Sequence, residues 1–72
     1  MHTDIEYGFP SEAIAYKFLN TVRHFDAEAL RVRLGRNDHH VSIAYRPVTD
    51  GFDPTLSELD DLARELGGEE AR

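Results

Sequence analysis

The chain has no cysteine, which rules out a disulfide framework and any thiolate metal site. No apolar run approaches the roughly 20 residues that span a bilayer. Met1-His2-Thr3-Asp4 shows no basic stretch leading into an apolar one, so a signal peptide is not expected. Basic residues are scarce: 8 Lys+Arg stand against 14 Asp+Glu, a formal charge of -6. A general nucleic-acid binder needs a net basic face to release counterions from phosphate. Docking on anionic lipid needs the same. Neither nucleic acid nor membrane is therefore expected as the direct partner. Lysine is nearly missing as well, with Lys17 alone against seven arginines. The arginine bias suits a GC-rich genome, and the acid excess suits a surface kept soluble at high ionic strength. The two meet in halophilic archaea.

What is present fills one small domain in 72 residues, and a hydrophobic content of 40% is too high for a disordered acidic tail. A cytoplasmic, soluble protein is the expectation. Thr3, Ile5, Tyr7 and Phe9 alternate with Asp4, Glu6 and Gly8, the period of a half-buried strand that Pro10 ends. Ser11 is a natural N-cap. After it, Ile14, Phe18, Val22 and Phe25 recur at helical spacing, with Ala15 and Leu19 widening the stripe, so a helix is predicted from about Ser11 to His24. Leu30, Val32 and Leu34 then alternate with Arg31 and Arg33, and Val41, Ile43 and Tyr45 with Ser42 and Ala44. Gly35-Arg36-Asn37-Asp38 between them makes a hairpin. Asp53-Pro54-Thr55 opens a second helix, where Thr55 and Glu58 have capping-box spacing. Leu56, Leu59, Leu62, Ala63 and Leu66 give it an apolar side, and Gly67-Gly68 stops it.

The predicted fold is α+β with two layers. Element order is β-α-β-β-α, with a three-stranded antiparallel sheet in strand order 2-3-1 and both helices on one face. Residues 1–68 form the domain and 69–72 a polar, frayed tail. Such a short chain buries a small core and has no staple to supplement it. With the fourth strand of a ferredoxin-like unit missing, the first strand would also keep a bare edge, which natural proteins rarely leave long and regular. A homodimer, or a protein partner covering Thr3, Asp4, Ile5, Glu6 and Tyr7, answers both problems.

Arg31, Arg33 and Arg46 share the outer sheet face and could contact an anion or an RNA backbone. Asp4 and Glu6 lie on that face too, so cross-strand ion pairs are the simpler expectation. Tyr7, Phe9 and Tyr45 are in phase with Ile5 and Ile43, which makes them core rather than a base-stacking platform. His2 could approach His40 if the first and third strands pair. His39 and His40 are neighbours on a strand and point to opposite faces, so they make a poor metal pair. Asp50, Asp53, Asp60 and Asp61 lack calcium-loop spacing: Asp53 reads as a cap, Asp60 and Asp61 as a solvated helix face. Ser11 and Ser57 have no nucleophile elbow, and nothing assembles a base, a nucleophile and an oxyanion donor. No cofactor and no catalytic residue is expected.

The run Ile5-Glu6-Tyr7-Gly8-Phe9-Pro10-Ser11-Glu12-Ala13-Ile14-Ala15 resembles the start of the Pcc-type small subunit of the KEOPS tRNA-modification complex. The resemblance covers the first third by motif and the remainder by element order. It implies a strand, helix, hairpin and helix protein that dimerises and binds a catalytic subunit. The last helix departs from the family. Thr55-Leu56-Ser57-Glu58-Leu59-Asp60-Asp61-Leu62 is acidic where the family carries a Leu-Arg pair and, later, an Asn-Ser-Tyr-like stretch, so no binding residue carries over. Three functions follow as expectations: a non-catalytic interaction module, a KEOPS-like accessory subunit, or an anion- or RNA-contacting factor.

Overall fold

A computed structural model describes residues 3–47, 51 and 53–71. The elements are β1 (Thr3–Gly8), α1 (Glu12–Val22), β2 (Glu28–Leu34), β3 (His40–Arg46), α2 (Thr55–Glu65) and β4 (Glu69–Ala71). The sheet has four strands in the order β2-β3-β1-β4, and every pairing is antiparallel. This is the full ferredoxin-like arrangement. Residues 69 to 71 are thus a strand, not a frayed tail. β4 covers β1 along Glu6, Tyr7 and Gly8, so the expectation of a bare β1 edge is overturned there.

The end of α2 makes this pairing possible. Gly67 takes a φ of +78°, Gly68 N donates to Ala63 O at 2.7 Å and Gly67 N to Arg64 O at 3.0 Å. These are the two bonds of a Schellman turn, which reverses the chain at a helix end. The reversal drops Glu69 beside Gly8. Pairing then follows from backbone groups alone, since Glu-Glu-Ala offers little apolar surface.

α1 starts as its sequence predicts, with Ser11 Oγ accepting from Ile14 N at 3.3 Å. α2 starts differently. Thr55 is its first residue rather than its cap, and no Thr55–Glu58 capping box forms. Asp53 Oδ1 accepts from Thr55 N at 3.0 Å instead.

The core lies between the helices and one face of the sheet. Tyr7, Phe9, Val41, Ile43 and Tyr45 from the strands and their flanks meet Ala15, Phe18 and Val22 of α1 and Leu59 and Ala63 of α2. All three expected core aromatics are buried. Phe18 stands at the centre, edge-on to Tyr7 at 5.4 Å and tilted on Phe9 at 4.7 Å, separations at which aromatic quadrupoles attract. The Tyr7 hydroxyl donates to the Asp60 carboxylate, so Asp60 is a tie between α2 and β1 and not a merely solvated side chain. Burial, and then that carboxylate, raise the phenol well above its ordinary range.

β2 carries the one irregularity among the paired strands. Glu28 faces Arg46 and Arg31 faces Ala44, so Ala29 and Leu30 together oppose Tyr45. This is a β-bulge whose first residue, Ala29, sits at φ +55°. The bulge shifts the phase. Ala27 and Leu30, three apart, both pack on the core, which a regular strand cannot do.

Candidate functional site: the β2 edge and the open sheet face

The helices leave the second face of the sheet uncovered. Strand alternation and register put Asp4 and Glu6 of β1, Ser42, Ala44 and Arg46 of β3, and Arg31 and Arg33 of β2 there. Arg31, Ala44 and Asp4 form one cross-strand row, and Arg33, Ser42 and Glu6 the next. Small side chains in the middle of each row leave a groove of about 370 Å³ lined by Asp4, Ala29, Arg31, Arg33, Ser42 and Ala44.

The expected ion pairs of this face form differently. Glu6 Oε2 lies 2.7 Å from His40 Nδ1 and 3.0 Å from Arg36 Nε, so the hairpin captures this carboxylate. The His40 hydrogen bond is the main cause that holds the Glu6 carboxyl below its ordinary value; burial opposes it, and the individually smaller Arg36 contacts lower it further. Arg46 pairs with Glu28 at 3.1 Å, across the register that the bulge creates. The side chains of Arg31, Arg33 and Asp4 are left with no hydrogen bond or ion pair among the described residues. Of the three arginines singled out by sequence, two are therefore available and one is occupied.

β2 is also one margin of the sheet, bonded only to β3 among the described residues. Gly35 N donates to His40 O at 2.8 Å. Bonded pairs alternate along an antiparallel ladder. Arg33 and Arg31 therefore bond inward to β3, while Val32 and Leu34 turn their N–H and C=O to the outside. The inner-face side chains of β2 continue the core toward this margin: Leu30 and Val32 border a shallow groove with Leu19 and Arg23 of α1. Sequence reasoning placed the open edge on β1, where among the described residues it persists along Thr3, Asp4 and Ile5 beyond β4, and did not single out the longer edge on β2. The phase slip between Ala27 and Leu30 was the signal for the bulge; the closure by β4 left no apolar pattern to read.

Of the metal pair His2 and His40, only His40 falls among the described residues. His40 is turned to Glu6, and His39 Nδ1 lies 2.7 Å from Asp38 Oδ1. No group of three potential ligands is found among the described residues. Asp50 lies outside the described residues; Asp53 caps α2, Asp60 accepts from Tyr7 and Asp61 pairs with Arg64 at 3.8 Å, so the three described acidic residues near α2 do not converge. No described helix is long and apolar enough to cross a membrane. No protein-family model, curated protein or solved structure matches the chain.

Proposed function

We propose that this chain is a non-catalytic interaction module that takes up a strand from a protein partner on the outer edge of β2. The carrying observation is that edge: seven residues long, with the backbone of Val32 and Leu34 turned outward and apolar side chains reaching it from the core. Strand addition of this kind draws affinity from main-chain hydrogen bonds and selectivity from alternate side chains. The opposite margin is split between the three residues of β4 and the Thr3, Asp4 and Ile5 stretch of β1, and offers less. An accessory subunit of a KEOPS-like assembly would be one instance of such a module. A cytoplasmic, salt-rich setting of the archaeal kind goes with this reading on the strength of the acid excess.

The test is Val32→Pro. Proline is tolerated on edge strands where the N–H faces solvent, so the variant should keep the native circular dichroism spectrum. Affinity capture from the native cell should lose the partner retained by the unaltered chain. A folded Val32→Pro chain that retains the same partner would sink the proposal.

Arg31 and Arg33 standing unpaired over a groove favour a second reading, contact with an anion such as an RNA backbone. Arg46 drops out of that set. Binding of single-stranded RNA at low salt, with a steep loss as salt rises, is its expected signature; no binding at low salt removes it.

A further inference from the structure

We infer that the strand accepted by β2 carries carboxylates two residues apart, so that the partner is an acidic extended protein segment and not a second copy of this chain. The inference rests on the strand-accepting reading above and specifies its ligand. Arg31 and Arg33 sit on the same face of β2 at alternate positions, exposed and without partners among the described residues. A strand laid along β2 would place two of its own side chains directly opposite them.

Self-pairing centred on Arg31, Val32 or Arg33, the registers that use the middle of the edge, fails this test of charge. A two-fold axis through Val32 sets Arg31 against the second copy's Arg33, twice over. An axis through Arg31 or Arg33 sets that arginine against itself. Directly opposed like charges destabilise a pair of strands, and charged edge residues and bulges are the usual defences against edge-to-edge association. β2 has both, in Arg31, Arg33 and Ala29. The same two arginines reward a strand with Asp or Glu at every second position.

The chain's charge of -6 does not reverse this preference. A bound strand would lie one spacing beyond β2, hence roughly 14 Å from β1 and Asp4. At physiological salt the screening length is about 8 Å, so the two nearest arginines dominate over remote carboxylates.

The test is a nuclear magnetic resonance titration of the full, isotope-labelled chain with three peptides at millimolar concentration. They are Thr-Val-Glu-Val-Glu-Val-Thr and its counterparts with Gln or Lys in place of both Glu residues. The acidic peptide should shift the amides of Val32 and Leu34 and bind about tenfold tighter than the Gln peptide, the sum of two cross-strand ion pairs. The Lys peptide should bind least. In Arg31→Glu/Arg33→Glu the order should invert. Equal affinity of the Glu and Gln peptides at Val32 and Leu34 would overturn the acid preference while leaving strand acceptance standing. Peptides that leave those amides unmoved would overturn strand acceptance itself. Shifts confined to Ser42 and Ala44 would place the anion in the groove and overturn the inference.

Discussion

Ala29 holds a left-handed backbone that costs an L-residue with a Cβ about 1–2 kcal/mol. Glycine adopts it freely but gains freedom when unfolded, which offsets part of the relief. Ala29→Gly should therefore stabilise the chain by about 0.5–1 kcal/mol, read as a higher urea midpoint. Ala29→Val should destabilise it, because a β-branched residue at positive φ is strained. Glu6 supplies a pH signature. Its folded pKa lies below the ordinary value of 4.5 because His40 and Arg36 favour the carboxylate. A depressed carboxyl contributes stability that is present above the unfolded value and is lost as pH falls through the folded one. The unaltered chain should lose stability below about pH 4.5 more steeply than Glu6→Gln, in denaturant midpoints taken at successive pH values. Individual residues were legible to very different degrees. Ser11 announces its cap by type and position. The Tyr7–Asp60 bond joins residues 53 apart, and nothing local in either segment encodes it. Arg31 and Arg33 stand out by alternation, yet their lack of partners depends on where Glu6 goes, and that is settled by the hairpin.

At the scale of elements, the strand–helix–hairpin–helix order was legible because each element buries one face and so writes its period into the sequence: two for Val41, Ile43 and Tyr45, near 3.6 for Ala15, Phe18 and Val22. β4 buries almost nothing and writes no period. Its place is set instead by the turn before it, and the sensitive position there is Gly68, where an added Cβ would fall 2.4 Å from Phe9 Cε1. Gly68→Ala should cost about 1–3 kcal/mol as an overpacking substitution, and should speed hydrogen exchange in β4 and along Glu6 to Gly8. Gly67→Ala, at positive φ, should act in the same direction without touching Phe9. The edge element makes a separate forecast. Replacing both Arg31 and Arg33 by Thr removes the like-charge opposition and restores β propensity. The variant should self-associate in sedimentation velocity at concentrations where the unaltered chain does not. Equal sedimentation of the two would mean that the arginines do not guard this edge.

For the whole molecule, the balance of charge matters more than any one pair. Fourteen acidic side chains face eight basic ones, and the ion pairs at Arg46 and Arg64 are largely exposed, as is Arg36 in its pair with Glu6. Exposed pairs contribute little, while a net charge far from zero destabilises the compact state through self-repulsion. Raising potassium chloride from about 0.05 M to 1 M, which shortens the screening length to about 3 Å, should thus raise the melting temperature. In a domain of this size each kcal/mol is worth about 4–8 °C. A melting temperature that falls with salt would show that the ion pairs outweigh the repulsion.

The pairing of Glu6 with Ala71 also sets a timetable. A ribosome adds about 5–20 residues per second, and β1 is made well before β4, so the strand that closes its flank is not complete until residue 71 has left the exit tunnel. For those few seconds the emerging chain exposes an unpaired strand beside Tyr7. Chaperone capture or misassembly would be most effective in that interval, and slower translation of the stretch after α2 would lengthen it.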